Sequence, residues 1–290
     1  MDFFEGTEKR IEIGFKLNPP DSLRDKGFSY WSEFVKSVKC EIITFSHAPY
    51  FDAFLLSESS LFVYNNTIIL LTCGNTEPFN AIEFLLEECG PITSVTYSHM
   101  PFLRPGMQPE SYQNYNTEAN KLSILSNRLG HGFHQTRVGK LVSFTTDLQR
   151  KPTHTALYMY GLVLDESLAL DCIRFYGEMD VSAYILHEHK FLPCGYSMNG
   201  VLENGTAYCT IHVTPQESCS YASFETNAAT CSEKLVSSII STFKPRGFTF
   251  ISPHERLNLL ISGYTEQKID PIQGDGYYHH FDLDTTYDPL

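Results

Sequence analysis

The side chains that could do covalent chemistry are scattered along this sequence, each in a different local pattern. Ser59 follows Glu58 at the start of an apolar run, Cys73 follows the apolar run 67–72, and His212 lies inside another. A serine hydroxyl is a weak nucleophile unless a base activates it and donors stabilise the oxyanion. Taken singly, these residues are typical of a turn serine, a buried thiol and a packed histidine. Their local patterns alone assign no reaction.

Two common catalytic patterns are absent from the sequence. The histidine pairs lack accompanying ligands at zinc spacing; they are His131/His134, His187/His189 and His279/His280. No G-x-S-x-G elbow of a serine hydrolase occurs either. We therefore expect neither a metal site nor a Ser-His-Asp hydrolase.

The composition is that of an ordinary globular protein. Of 290 residues, 42% are hydrophobic and 19% are charged, and the formal net charge is −13. Nucleic acids and anionic membranes require basic surfaces, so we expect neither as a partner. No apolar run approaches the roughly 20 residues that span a bilayer, and the first residues lack the pattern of a signal peptide. The expected compartment is the cytoplasm, with mostly reduced cysteines.

Hydrophobic periodicity predicts the elements that must position these residues. Alternation over 7–15 predicts a strand with Lys9, Ile11, Ile13 and Phe15 on one side. The β-rich runs 61–64 and 67–72 flank an Asn pair, which predicts a hairpin. Further strands are predicted at 40–45, 92–98, 140–146, 156–164, 206–213 and 220–225, and helices at 31–38, 79–89, 118–128, 167–175 and 230–243. Strand–strand–helix recurs in both halves, which hints at a duplication.

The pattern as a whole predicts an α+β protein. We expect large antiparallel sheets with helices on their outer faces. The three prolines between residues 100 and 115 indicate a loop. The polar, acidic residues 274–290 predict a loose tail.

Six segments, in this order and spacing, resemble the eukaryotic-type S-adenosylmethionine decarboxylase proenzymes, a pyruvoyl-dependent family. The segments are Phe3-Phe4-Glu5-Gly6-Thr7-Glu8-Lys9, Leu56 to Val63, Thr72-Cys73-Gly74, Pro193 to Gly200, Thr210 to Pro215 and Ser223 to Asn227. The resemblance runs from Phe3 to about Phe248. It implies one domain over 1–290 with a four-layer α/β/β/α sandwich of two large antiparallel sheets.

The resemblance implies that the chain cuts itself between Glu58 and Ser59. Ser59 would attack the Glu58 carbonyl to form an ester, and elimination and hydrolysis would leave a pyruvoyl group at position 59. Residues 1–58 would become the β chain and 59–290 the α chain. Decarboxylation of an amino acid requires such an electron sink. S-adenosylmethionine would bind the group as a Schiff base and lose carbon dioxide, giving the aminopropyl donor for spermidine and spermine.

The same resemblance implies a role for each candidate site residue. Ser197 and His212 match processing positions, and Cys73 matches the proton donor. Glu5 and Glu8 match carboxylates close to the reaction. The substrate-binding positions are Phe4, Glu58, Phe191 and Gln216, with the two phenylalanines stacking on adenine.

Four positions depart from the family pattern, one at the expected ribose site and three at the expected putrescine site. Gln216 stands where the family usually has a glutamate that binds both ribose hydroxyls, and losing that charge-assisted bond could cost about 1–3 kcal/mol of binding. In the putrescine-activated members a lysine accompanies a buried acidic cluster, and Leu71 replaces that lysine. Glu12 and Glu225 match two of the carboxylates, whereas His154 and Tyr158 replace two others. A diamine needs carboxylates to pair its charges, so we expect no activation by putrescine.

Two other functions stay open. One is a catalytically dead paralogue that binds and regulates a partner subunit; retention of Ser59 speaks against it. The other is a pyruvoyl decarboxylase acting on another amino acid, such as ornithine or arginine, because Gln216 weakens ribose binding. The expected partners are the small-molecule substrate, the two self-cleaved chains and a possible second copy in a homodimer.

Overall fold

The chain divides into two compact units, Met1–Leu148 and Gln149–Leu290. The computed structural model describes residues 3–18, 20–148, 153–162, 184–216, 219–228, 233–253, 259–272 and 276–284. Each unit has its own eight-stranded antiparallel sheet and its own hydrophobic core. The single domain over 1–290 stays a prediction.

The sheet of the first unit has its first strand near the middle. Its strands are β1 (Lys9–Phe15), β2 (Ile42–His47), β3 (Phe51–Leu56), β4 (Ser59–Tyr64), β5 (Thr67–Thr72), β6 (Ile92–His99), β7 (His134–Val138) and β8 (Leu141–Thr145). Their order across the sheet is β2-β3-β4-β5-β1-β6-β8-β7. Strand β1 therefore pairs with both β5 and β6, which places the residues preceding it beside the end of β5.

Three helices accompany this sheet: α1 (Gly27–Ser37), α2 (Phe79–Glu88) and α3 (Tyr115–Leu129). Apolar side chains at helical spacing on α1, such as Trp31 and Phe34, join Ile11 and Ile13 of β1 in one buried cluster. The predicted alternation of β1 and the predicted β4–β5 hairpin are both confirmed. The helices thus cover one face of the sheet and leave the alternate residues of β1 for its other face.

The second unit repeats the same strand order. Its strands are β9 (Thr155–Leu162), β10 (Tyr184–Lys190), β11 (Tyr196–Leu202), β12 (Tyr208–Thr214), β13 (Tyr221–Thr226), β14 (Pro245–Ser252), β15 (Tyr264–Ile272) and β16 (Gly276–Leu283). Their order, β10-β11-β12-β13-β9-β14-β16-β15, reproduces that of the first sheet strand for strand. Helix α4 (Glu233–Phe243) follows the fifth strand, as α2 does in the first unit. This repetition supports the predicted duplication.

The fold class is confirmed, and one boundary is wrong. The described residues form two large antiparallel sheets and four α-helices, as predicted for an α+β protein. None of those helices is long and apolar enough to cross a membrane. The prediction of a loose tail is wrong for 276–283, because β16 pairs with β14 and β15 and buries Tyr278 and Phe281. The predicted helix at 167–175 lies outside the described residues.

We predict that Phe34→Ala destabilises the first unit by about 3–5 kcal/mol, because truncating a buried phenylalanine leaves a cavity. Phe34 is 0% exposed and its ring lies edge-on to those of Trp31 and Phe84. Urea unfolding monitored by circular dichroism measures the change. The matched control is Phe28→Ala on the same helix, since Phe28 is 50% exposed. Equal losses in the two variants would contradict this assignment of the core.

Candidate active site

The Glu58–Ser59 peptide bond lies at a strained turn between β3 and β4. Ser59 is the first residue of β4, is 1% exposed, and has a φ of 133°. Residues other than glycine rarely adopt this backbone conformation, so the surrounding structure must hold Ser59 in it. Its hydroxyl donates a hydrogen bond of 2.8 Å to Oε1 of Glu8. A buried serine thus has a carboxylate in position to take its proton.

The carbonyl oxygen of the same peptide bond faces two donors from Cys73. Ser59 pairs with Thr72 across the β4–β5 ladder, so the residue after Thr72 lies beside Glu58. The Cys73 N–H donates to the Glu58 carbonyl oxygen at 3.0 Å, and Cys73 Sγ lies 3.4 Å from the same oxygen. Donors aimed at a carbonyl oxygen stabilise the negative charge that develops when a nucleophile attacks its carbon.

Burial determines the protonation of the Cys73 thiol and the Glu58 carboxyl group. The pKa of Cys73 is raised well above its usual value, mainly by burial and then by the nearby Glu58 and Glu8 carboxylates. Burial also raises the pKa of Glu58 to about 7, while its contact with Cys73 and the charge of Lys9 lower it. Cys73 is therefore a protonated thiol at neutral pH and can donate a proton.

Glu5 binds the loop that follows β6. In the part of the chain that the structure describes, no hydrogen bond joins it to Ser59. Its Oε2 accepts hydrogen bonds from the backbone N–H groups of Leu103 and Arg104, at 2.8 and 3.1 Å. Its own carbonyl oxygen accepts from the Gly74 N–H at 2.8 Å. Glu5 therefore joins the segment after β6 to the turn after β5.

Gly74 allows the ring of Phe4 to approach this turn. Its φ is +60°, and a Cβ atom at this position would lie 2.7 and 2.9 Å from two atoms of the Phe4 ring. Such distances are shorter than any van der Waals contact, so a larger residue would displace the ring. The Thr72-Cys73-Gly74 segment thus supplies both the donors to Glu58 and the surface beneath Phe4.

In the second unit, Ser197 and His212 lie opposite each other on β11 and β12. Nδ1 of His212 is 2.8 Å from Ser197 Oγ, and Nε2 is 2.6 Å from Thr210 Oγ1. Burial lowers the pKa of His212 to about 3, because the charged imidazole loses its water. The ring is therefore neutral at physiological pH. Thr210 was not predicted; its place two residues before His212, on the same face of the strand, was the available signal.

Phe191 and Gln216 also belong to the second unit. Phe191 follows β10, and its ring lies edge-on to that of His189, with 4.7 Å between centroids. Its backbone N–H donates to the Gly195 carbonyl at 2.9 Å. Gln216 follows β12, and its side-chain oxygen accepts from Cys219 Sγ at 3.0 Å. Both side chains are partly exposed.

The two carboxylates of the expected acidic cluster have partners within their own units. Glu12 forms a buried ion pair of 3.0 Å with Arg10 in the first unit. In the second unit, Glu225 accepts a hydrogen bond from the hydroxyl of Tyr208, and His154 Nε2 lies 3.8 Å from it. Leu71 is a buried apolar residue. These carboxylates are thus already satisfied by groups of the chain.

Comparisons with known proteins match most of this sequence to a single family. The family model of adenosylmethionine decarboxylase matches residues 1–143 and 167–258. The S-adenosylmethionine decarboxylase proenzyme of Xenopus laevis is 34% identical over 85% of this chain and 82% of its own length. That of Drosophila melanogaster is 32% identical, over 94% and 88%. That of Leishmania donovani is 30% identical, over 97% and 80%.

A solved structure supports the fold independently of sequence. The AdoMetDC monomer of Trypanosoma brucei aligns with a TM-score of 0.56 over 78% of this chain and 99% of that chain, at 22% identity. The motifs, the repeated sheets and the long matches to curated proenzymes agree with one another. This chain belongs to the adenosylmethionine decarboxylase family.

Proposed function

We propose that this chain is a proenzyme that cuts itself between Glu58 and Ser59 and then decarboxylates S-adenosylmethionine. One observation carries the proposal: the Ser59 hydroxyl donates to Glu8 while the Glu58 carbonyl accepts from Cys73. A hydroxyl with a base and a carbonyl with donors are the two requirements of an acyl shift within the chain. Family membership supports the substrate.

The first step moves the acyl group of Glu58 from nitrogen to oxygen. Glu8 takes the Ser59 hydroxyl proton, the Ser59 Oγ–C bond to Glu58 forms, and the C–N bond breaks as the nitrogen gains a proton. The Cys73 N–H and thiol stabilise the oxyanion between these two events. The unusual φ of Ser59 is a strain that this rearrangement can release.

The second step removes the α-proton of residue 59, and the motif assigns it to His212 with Ser197. A neutral imidazole is the form that can accept a proton, and burial keeps His212 neutral. Elimination then breaks the Cβ–Oγ bond, and Glu58 leaves as a carboxylate. Tautomerisation and hydrolysis of the remaining dehydroalanine consume one water and release ammonia, leaving a pyruvoyl group.

The residues around Ser59 fit such a group, because its serine precursor is present with a base and an activated carbonyl. A pyruvoyl group supplies a sink for the electron pair that departing carbon dioxide leaves on Cα. Cys73 is the proposed donor of the proton to that carbon, consistent with a thiol that burial keeps protonated. We assign Phe4 and Phe191 to stacking on adenine, and Glu58 and Gln216 to binding polar groups of the substrate. Glu5 supports the site through the loop it holds.

The regulatory and alternative-substrate hypotheses have less support. A dead paralogue has no need of a buried serine with a carboxylate at 2.8 Å. Ornithine and arginine have no adenine ring for Phe4 and Phe191 to stack on. We further propose that the enzyme acts in the cytoplasm, that the two cleaved chains stay associated, and that a homodimer is the form to test.

Freshly synthesised protein is expected to split from 33.0 kDa into fragments of about 7 and 26 kDa, in proportion to chain length. Denaturing gels follow the split, and mass spectrometry of the larger fragment checks for a terminal ketone. Ser59→Ala removes the nucleophile and is expected to stay intact. Ser60→Ala, in the adjacent position, is the matched control and is expected to cut. An intact wild-type chain that releases no carbon dioxide from labelled S-adenosylmethionine would refute the proposal.

His212→Ala is expected to slow cutting about a hundredfold or more, which is the usual loss when a general base is removed. Because the acyl shift precedes the step assigned to His212, the ester is expected to accumulate. Neutral hydroxylamine should then cut this variant, leaving a hydroxamate on Glu58 and a serine at the new terminus. Mass spectrometry identifies both ends.

Ser59→Ala controls for this treatment, since it has no ester for hydroxylamine to attack. If His212→Ala stays uncut in hydroxylamine, the histidine acts before the ester forms, contrary to the assigned role.

Putrescine is expected to leave the decarboxylation rate of the purified protein unchanged. Glu12 already pairs with Arg10 at 3.0 Å, so a diamine would have to displace a buried cation. Release of labelled carbon dioxide, with and without putrescine, measures the effect, and sodium chloride at equal ionic strength is the control. A several-fold rise with putrescine alone would show this expectation to be wrong.

A further inference from the structure

Lys9 is a buried cation of the first unit to which the proposed chemistry assigns no role. Its side chain is 0% exposed, and Nζ donates to the Gly74 carbonyl at 2.9 Å and to Gln108 Oε1 at 2.7 Å. Burial lowers its pKa to about 8, partly offset by nearby acidic groups. A buried ammonium group is costly unless neighbouring groups compensate its lost hydration. The contacts of Lys9 that compensate this cost therefore indicate its role in the structure.

The same ammonium group holds the loop between β6 and α3. Nζ lies 5.5 Å from the ring centroid of Phe102 and 5.1 Å from that of Tyr112, within the range of cation–π attraction. Gln108 lies in the same loop. Lys9 therefore joins this loop to the turn after β5, and removing its charge would weaken both connections.

The backbone of Gly74 is held by a hydrogen bond on each side of its Cα atom. Its N–H donates to the Glu5 carbonyl oxygen at 2.8 Å, and its carbonyl accepts from Lys9 at 2.9 Å. The N–H belongs to the Cys73–Gly74 peptide plane and the carbonyl to the plane that follows it, so each of two successive planes of the turn is anchored by one of these bonds. Cys73 precedes Gly74 directly, so the orientation of the turn determines where the Cys73 N–H and thiol point.

We infer that Lys9 is a positioning residue for self-cleavage: it holds the Gly74 carbonyl so that Cys73 stays aimed at the Glu58 carbonyl oxygen. This inference rests on the proposed function and adds a residue to it. Lys9 touches neither of the reacting atoms in the described contacts, and it acts through the turn. A lysine that served only the core would instead affect stability alone.

The first test is the rate of cutting of Lys9→Met in a cell-free synthesis reaction. Methionine retains much of the length and apolar character of lysine without donors. The folded fraction, isolated by size-exclusion chromatography, is expected to cut about tenfold or more slowly, since oxyanion donors contribute at least that much. Because the acyl shift itself is slowed, hydroxylamine is not expected to restore cutting, in contrast to His212→Ala.

Two control variants separate positioning from stability. Lys26→Met removes a lysine with the same kinds of contact elsewhere, a carbonyl at 2.8 Å and a tyrosine ring at 5.0 Å. Phe34→Ala destabilises the core of the same unit. The folded fractions of both are expected to cut at the wild-type rate.

The second test does not depend on cutting. In the Ser59→Ala background, Lys9→Met is expected to increase the alkylation rate of Cys73 by iodoacetamide severalfold, because the turn is released. Cys89, half-buried in the same unit, is the internal reference. Peptide mass spectrometry measures both rates.

The outcomes separate the inference from the proposed function. If wild type cuts and the folded Lys9→Met chain cuts equally fast, only the inference is overturned. If wild type stays intact, both self-cleavage and a role of Lys9 in it are overturned. Equal gains in alkylation at Cys73 and Cys89 would indicate that the whole first unit is loosened, and would overturn the inference about Lys9.

Discussion

The geometry of one peptide bond, Glu58–Ser59, is the constraint on which the rest of this site depends. Its hydroxyl side contacts Glu8 from the residues before β1, and its carbonyl side contacts Cys73 from the end of β5. These contacts exist only because β4, β5 and β1 are neighbours in the sheet. The sheet therefore brings the Glu8 carboxylate and the Cys73 donors to the two sides of a strained serine peptide. Ser59 and Glu8 are 51 residues apart in the sequence, so no local motif could bring them together.

Exclusion of water has the same effect on three neighbouring groups. Burial raises the pKa values of Glu58 and Cys73 and lowers that of Lys9, so each is shifted toward its neutral form. Hydrogen bonds are stronger in such a medium, and an uncompensated charge is more costly. The described contacts of Lys9 accordingly use carbonyl oxygens and aromatic rings.

The sequence predicts much of this arrangement where the pattern is local. Alternation in β1 correctly placed Lys9 on the side of Ile11 and Ile13, because its ammonium group contacts aromatic rings of their cluster. The Asn pair correctly marked the β4–β5 hairpin. The partners of Lys9 could not be predicted, because Gln108 and Gly74 are 99 and 65 residues away. The polar composition of 274–290 concealed β16, whose backbone pairs on both sides satisfy hydrogen bonds that composition does not report. The φ of Ser59 has no sequence signature, since serine rarely adopts it.

The place of β1 in its sheet determines what a cut after residue 58 can do to the molecule. The shorter piece, residues 1–58, would contain β1, β2 and β3. In the sheet, β1 lies between β5 and β6 of the longer piece. A further ladder joins β3 to β4 across the cut itself. Dissociation would require three ladders to open and Ile11 and Ile13 to leave the core. The short piece and residues 59–148 of the long piece would thus keep one common sheet and one common core after the cut.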